Sequence, residues 1–346
     1  MIAQNGVSRY PRPMPKTTRL RALQAILRKK KIPALLVTDP LNVRYLSGLK
    51  ATEAMLLVRQ RDATLIVDGR YVEVARRLRS KGLGIADRGD LPKLFSRIRR
   101  CGFEGHHVTV ERFARWKALF KSTKFVQELG LVEGLRRKKD SSEKSAMKRA
   151  LAVTNAVIAM IPDFLDVGVT EKQVANRILG AMLDLGADGL AFEAIVAFGK
   201  NSSLPHHRAG AAKLRRNDIV QIDVGAKVDG YCADRSEVFF VGTTTDEQRR
   251  AYDSVRECLR AVKRAAKAGA SYKALDELAR GLLAESGFPP YPHALGHGVG
   301  LDVHEGVVLA ARSKEKLLSG EAIALEPGVY FESKFGIRLE DTVFVK

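Results

Sequence analysis

Long apolar runs are missing from this chain: nowhere in its 346 residues is there a stretch near the ~20 positions a membrane helix needs, so no membrane association is expected. Cysteine is scarce. Cys101, Cys232 and Cys258 are odd in number, widely spaced and form no Cys-x-x-Cys pair. Neither a disulfide framework nor a thiolate metal site is therefore expected, and a reducing, cytoplasmic setting fits. The first twenty residues lack the apolar core of a secretory signal, being polar and broken by Pro11, Pro13 and Pro15. Acidic residues are also absent before Asp39, as in organellar transit peptides, but the helical spacing of Leu20, Leu23, Ile26 and Leu27 reads as the first helix of a fold. Histidine is rare, with seven in all, yet three of them, His293, His297 and His304, fall within twelve residues.

A chain of this length, 45% hydrophobic, exceeds one ordinary core and predicts two domains. The net charge of +20 is unevenly placed. Residues 1–140 hold 32 Lys and Arg against 12 Asp and Glu, whereas residues 141–346 hold 27 of each. Such a step marks a domain boundary near Asp140.

In order, residues 1–16 predict a flexible tail, 18–31 a helix ending in Lys29-Lys30-Lys31, and 34–37 a short apolar strand closed by Asp39-Pro40. Two apolar runs, 55–58 and 64–67, flank a charged turn and predict a hairpin. An amphipathic helix over 70–81 and a strand at 108–110 complete a small α/β domain. Asp140-Ser141-Ser142-Glu143 then reads as a capping box opening a helix to about Met160, and Thr170 opens another ending near Gly186. Strands over 192–240, helices over 246–267 and 271–286, and further strands repeat that architecture. Two similar halves on a common sheet are expected, with a site between them.

The histidine-rich run His293-Ala-Leu-Gly-His297-Gly-Val-Gly-Leu-Asp-Val-His304-Glu305 carries Gly296, Gly298 and Gly300, which let a backbone approach a ligand closely. Its composition predicts an extended segment with a bend. Asp223 interrupts the apolar strand Ile219–Ala226, and Asp234 lies eleven residues on, past the turn glycine Gly230, so an antiparallel hairpin would bring both acids to one place. Glu326, before Pro327-Gly328, and Glu340, in Gly-Ile-Arg-Leu-Glu-Asp, sit similarly. Buried carboxylates are costly unless paired or bound to metal. Two Asp, two Glu and one His offer enough donors for two divalent ions, and so oxygen-rich a set favours Mn²⁺ over structural zinc.

That ordered set, embedded in IDVGA, GHGVGLDVHE, LEPGVY and GIRLEDT, resembles the pita-bread metallopeptidases of the Xaa-Pro aminopeptidase and prolidase branch, over about residues 140–346. TDPLNVRYLSG at 38–48 resembles the creatinase-type N-terminal domain of the same branch. The resemblance implies an α+β protein: a small creatinase-like α/β domain over 17–135, then a pita-bread catalytic domain over 136–346 with pseudo-twofold halves. It implies two divalent metal ions, Mn²⁺ first, with Co²⁺ or Zn²⁺ as alternatives. Asp223, Asp234 and Glu340 would contact both ions, and His297 and Glu326 one each, with Glu326 also the general base. His206, rather than its neighbour His207, would lie on the substrate amine side. His293 and His304 would hold the scissile carbonyl and the substrate, and Arg338 would support the ligands. The implied activity is removal of an N-terminal residue before proline; a prolidase cutting Xaa-Pro dipeptides is the alternative, and a homodimer is implied.

Two departures stand out. The segment after Asp234, Arg-Ser-Glu-Val, replaces the family's Thr-Arg-Thr, and the chain stops at Lys346 where relatives continue through another strand, which implies weaker support for the last site strand. The N-terminal domain argues against a methionine aminopeptidase. A non-catalytic module binding acidic partners through Lys29-Lys30-Lys31 and Arg136-Arg137-Lys138-Lys139 is the competing class, and the scarcity of aromatics beside those runs argues against nucleic acid as the partner.

Overall fold

The computed structural model describes residues 16–346, which form two compact units, 16–136 and Arg137–Lys346. The expected tail falls, up to residue 15, outside the described residues.

The first unit begins with α1 (Lys16–Lys29), which buries Leu20, Leu23 and Leu27 and ends before Lys31 turns the chain at a φ of 53°. After β1 (Ala34–Val37), Asp39 does more than close a strand. Its carboxylate accepts from the Leu41 amide and caps α2 (Pro40–Ser47), with Pro40 in the first turn. The hairpin β2 (Ala54–Arg59) and β3 (Ala63–Val67) forms as expected around a charged turn. The helix predicted over 70–81 is only α3 (Val72–Arg77). There follow β4 (Leu83–Asp87), α4 (Leu91–Phe95), β5 (Arg100–Glu104), α5 (Val110–Leu119), β6 (Lys124–Glu128) and α6 (Glu133–Arg136).

The strand expected at 108–110 is not there. Thr109 instead accepts from the Arg112 amide and caps α5, because a β-branched triplet with no paired neighbour has nothing to hold it extended. The sheet order is β4-β3-β2-β1-β5-β6, and β2 alone runs against the others.

In the second unit, Asp140 and Glu143 form the expected capping box of α7 (Ser141–Met160), and Thr170 and Gln173 that of α8 (Glu171–Asp184). The first half continues through β7 (Gly189–Leu190), β8 (Ile195–Phe198), β9 (Ile219–Val224), β10 (Ala226–Val228), β11 (Tyr231–Cys232) and β12 (Arg235–Phe240). The second half has α9 (Asp246–Ala265) and α10 (Tyr272–Glu285), then β13 (Gly296–Gly298), β14 (Val308–Leu309), β15 (Ala322–Leu325), β16 (Gly328–Phe331), β17 (Phe335–Arg338) and β18 (Asp341–Phe344). Each helix pair covers its own strands: Val157, Ile178 and Ile222 share one core, and Val255, Ala279 and Leu325 another.

The halves do not share one continuous ladder, as had been expected. Four ladders form instead: β11-β10-β7, β12-β9-β8, β14-β13-β15-β18 and β16-β17. Side chains close the seam between halves together with single backbone bonds, from Glu340 to the Ser236 carbonyl and from Cys232 to the Gly300 carbonyl. The buried Gln221 amide accepts from the Arg338 N–H at 2.7 Å and donates to the Arg338 carbonyl at 3.0 Å, as a strand's backbone would. The last site strand is also better held than its place in the chain implied. β18 pairs with β15 over four residues, and Val345 donates to the Glu321 carbonyl.

Candidate active site

β9 and β12 pair so that Ser236 lies opposite Asp223, and the β10–β11 ribbon between them returns the chain to Asp234. A Cβ at Gly225 would stand 1.9 Å from the Ala233 carbonyl oxygen, so only glycine lets the ribbon close behind the two aspartates. The second half repeats the device. Leu325 lies opposite Asp341, which sets Glu326 beside Glu340, and Gly296 permits an equally close approach to Ala324, which holds His297 against β15.

These side chains converge. His297 Nε2 stands 3.5 Å from Asp234 Oδ2 and 3.8 Å from Glu326 Oε1. One ligating atom each of Asp234, His297 and Glu340 lies within 4.8 Å of the others. Asp223, Asp234, His297, Glu326 and Glu340 line a cavity of about 280 Å³ together with His206, His304 and Arg338. His293 lines an adjoining cavity of about 350 Å³, which shares His206, His297, His304, Glu326 and Arg338. Every residue singled out in the sequence thus borders one cleft.

Four carboxylates with one arginine make an electrostatic conflict. Burial, then the neighbouring Glu340, Asp223 and Glu326 charges, raise the Asp234 carboxyl well above its usual range; burial and Asp223 do the same to Glu340. Glu326 is pushed up to about 7, chiefly by burial. Burial pushes His297 down to about 4, so its ring is neutral. Its Nδ1 faces the Gly298 carbonyl at 3.1 Å, which assigns the proton there and leaves the Nε2 lone pair toward the acids, as a metal ligand requires. Buried Asp223 Oδ1 and Asp234 Oδ1 have no hydrogen-bond partner, a costly arrangement that a cation would relieve. The donor set therefore fits divalent metal. A second group, Asp39, His106 and Glu133 in the first unit, is more exposed, and Asp39 and Glu133 already accept hydrogen bonds from Leu41 and Asn42.

Arg338 organises the acids. Its Nη2 donates to Asp223 Oδ2 at 2.6 Å, its Nε to Ser236 Oγ at 3.1 Å, and its Nη1 to the Tyr330 hydroxyl at 3.1 Å. Ser236 in turn donates to Glu340 Oε2 at 2.9 Å. The altered segment after Asp234 thus keeps a working hydroxyl at position 236. His293 is fully engaged, its Nδ1 on the Ala294 carbonyl and its Nε2 on the Tyr330 hydroxyl. His206 and His304 make no ring hydrogen bond among the described residues, while His207 is tied to the buried Glu171 at 2.8 Å.

Sequence reasoning missed Ser236, Tyr330 and Gln221 as parts of the site, and a buried ion pair behind it. Lys139 Nζ lies 2.7 Å from Glu305 Oε1, and Glu305 Oε2 accepts the amides of Leu301 and Asp302, so the pair shapes the turn that carries His304. Gly300 is required here, since a Cβ would stand 2.0 Å from the Glu305 carboxylate. Lys139 sat visibly in a basic run, but nothing nearby in sequence names its partner.

Residues 145–346 match the family model described as Metallopeptidase family M24, and residues 19–138 that of the Creatinase/Prolidase N-terminal domain. An uncharacterized peptidase of Bacillus subtilis is 32% identical over 336 residues, which cover 94% of this chain and 95% of that protein. An Xaa-Pro dipeptidase from Bacillus anthracis superposes with a TM-score of 0.92 at 30% identity, covering 96% of this chain and 95% of that one. An X-Pro aminopeptidase from Thermotoga maritima gives a TM-score of 0.87 at 30% identity over 94% of each chain. Model, relatives and structures agree with the geometry: this chain belongs to metallopeptidase family M24, as a metallo-exopeptidase of its Xaa-Pro aminopeptidase and prolidase branch.

Proposed function

We propose that the chain is an Xaa-Pro aminopeptidase that works with two divalent ions, manganese first among them. The observation that carries the reading is the convergence of five donor residues, two of whose buried carboxylate oxygens have no hydrogen-bond partner among the described residues. Family membership implies divalent metal, and a set of four carboxylates with one imidazole suits Mn²⁺. Asp223, Asp234 and Glu340 would be shared by the ions, with His297 and Glu326 on one each. Bound there, the ions would supply a hydrolytic nucleophile at neutral pH and polarise the peptide carbonyl.

The remaining steps fall to the chain's own groups. Glu326, whose carboxylate borders the cleft, takes a proton from the attacking water and passes it to the departing proline nitrogen. His206 and His304, whose rings make no hydrogen bond among the described residues, face the cleft and donate to the substrate, including the oxyanion that forms at the scissile carbonyl. His293 reaches substrate by giving up the Tyr330 hydroxyl. Arg338 holds Asp223 while Ser236 holds Glu340 in place.

One observation favours a second reading, the Xaa-Pro dipeptidase. Arg208 lines the same cavity as the acids and has no ion-pair partner among the described residues, so it could take a dipeptide's free carboxylate. The test is hydrolysis by metal-stripped protein reloaded in turn with Mn²⁺, Co²⁺ and Zn²⁺, using an Xaa-Pro dipeptide, an Xaa-Pro-Yaa tripeptide and Met-Ala-Yaa. Cleavage of the tripeptide after its first residue, lost in Asp223→Asn, is expected. Cleavage of the dipeptide alone, with KM raised about tenfold in Arg208→Gln, would make it a dipeptidase. No cleavage with any metal would leave the non-catalytic binding module.

A homodimer and a cytoplasmic location belong to the same proposal. Three buried, unpaired cysteines support a reducing compartment. Sedimentation should show twice the chain mass, and a monomer at every concentration would overturn the dimer.

A further inference from the structure

Lys139 apart, which shapes the turn carrying His304, none of the Lys and Arg of residues 1–140 lines the candidate active site. In the first unit a cleft of about 850 Å³ gathers four arginines and a histidine against a single carboxylate, Glu53. Its place follows from topology. From β1 the sheet grows one way to β4, while β5 and β6 lie on the other side, so the strand order reverses between β1 and β5. The carboxyl edge of an open α/β sheet at such a reversal is where ligands dock. Thr38 follows β1, Arg70 follows β3, Arg88 follows β4 and His107 follows β5, and all four line the cleft from that edge. Helix α5 adds Arg112 and Arg115, three residues apart on one face, and the mostly buried Trp116 and Phe120 give it an apolar floor.

Two details separate this cleft from an ordinary solvated basic face. Arg70, Arg88 and Arg115 are each held by a carboxylate (Asp68, Glu53 and Glu111), whereas the guanidinium of Arg112 is in no ion pair among the described residues. The Thr38 hydroxyl oxygen is buried without a hydrogen-bond partner, on a residue only 3% exposed that lines the cleft. A buried hydroxyl without a hydrogen bond and an arginine without an ion pair, both lining one cleft, are donors that an anion could use. The lysine-rich run 29–31 and the basic run 136–139 line none of it, so the surface is a half-open cleft for one anion and not a track for a nucleic-acid backbone. Its volume lies in the range of small-molecule sites, and its mixed lining suits a ligand with a charged end and a flat organic end.

We propose that this cleft binds a phosphomonoester of mononucleotide size, with the phosphoryl group on Arg112, its neighbouring arginines and the Thr38 hydroxyl, and the organic part over Trp116 and Phe120. Arginine's fork matches phosphate oxygens two at a time, and the aromatic floor accepts a ring.

Calorimetric titration of the full chain with adenosine 5′-monophosphate, inorganic phosphate and adenosine tests it, alongside Arg112→Gln and the near-isosteric Thr38→Val. One saturable site for the monophosphate is expected, weakened roughly tenfold in Arg112→Gln and several-fold in Thr38→Val, with tripeptide hydrolysis unchanged in both. Weaker phosphate binding, lost in the same variants, would support the phosphoryl contacts. Adenosine binding as tightly as its monophosphate would overturn the proposal. So would no saturable binding of monophosphate or phosphate up to about 10 mM, equal affinity in wild type and both variants, or binding of single-stranded RNA alone.

Discussion

Asp234→Asn is expected to raise the melting temperature of the protein stripped of metal, and to lower it, with loss of peptidase activity, once Mn²⁺ is present. Asp234 is 4% exposed and faces Glu340, Asp223 and Glu326, with Arg338 opposing their effect. Its carboxyl and that of Glu340 therefore titrate well above the usual range in the folded chain. The sign follows from linkage. A carboxyl whose folded pKa is raised binds more protons folded than unfolded, so its stabilising contribution is complete below the unfolded pKa and is lost as pH rises through the folded one. At neutral pH the metal-free cluster opposes folding, and removing one charge relieves it. Each pKa unit relieved is about 1.4 kcal/mol, or ~3–6 °C for a unit of this size.

Under the proposed ligand set Asp234 would be shared by the ions, and its loss is expected to cost about 10³-fold in kcat/KM, some 4 kcal/mol of transition-state stabilisation. Thermal melts with and without chelator, paired with the tripeptide assay, read both halves. The wild-type apoprotein should likewise melt lower at pH 8 than at pH 5, Glu326 contributing the part lost up to its value of about 7. A metal-free Asp234→Asn that melts lower than wild type would show that the four acids do not repel one another as the geometry requires.

The second large effect lies behind the site. Lys139→Met should destabilise the second unit by about 3–5 kcal/mol, because it takes away the ammonium that faces the buried Glu305 carboxylate. The side chains of Lys139 and Glu305 are 2% and 6% exposed, 2.7 Å apart, and Glu305 also anchors the Leu301 and Asp302 amides. As the turn loosens, His304 loses its edge-on stacking against His297, now 4.3 Å between ring centres, and kcat should fall more than KM rises. Urea midpoints together with tripeptide kinetics measure the two consequences. Adding Glu305→Gln to Lys139→Met should recover part of the stability, since the amide can still accept from the two backbone N–H groups without carrying a charge. A Lys139→Met protein as stable and active as wild type would mean that the turn is held by its glycines and backbone alone.

Legibility followed the range of the interactions. The capping boxes at Asp140 and Thr170 were readable because each is closed by hydrogen bonds spanning three residues. The two Asp and two Glu stood out because each breaks an apolar or glycine-rich run, a pattern visible without a partner. Val108-Thr109-Val110 misled for the opposite reason: β-branched residues become a strand only beside another strand, and the fold placed none there. The common sheet failed at its seam, where Gln221, 117 residues from Arg338, takes over the role of a backbone ladder. Ser236 looked like a defect in a motif until the structure set its hydroxyl between Arg338 and Glu340.

Taken alone, the sequence determined the order and type of most elements, the division of charge along the chain and the chemical identity of the donor set. Those properties rest on periodicity and on bonds within a few residues. Tertiary structure decided which charges meet. Arg338 and Arg112 are indistinguishable as letters, yet one is buried among Asp223, Ser236 and Tyr330 while the other lines a cleft with no ion pair among the described residues. The reason is that desolvation and Coulomb energy depend on distance in space, and folding sets that distance between residues a hundred positions apart.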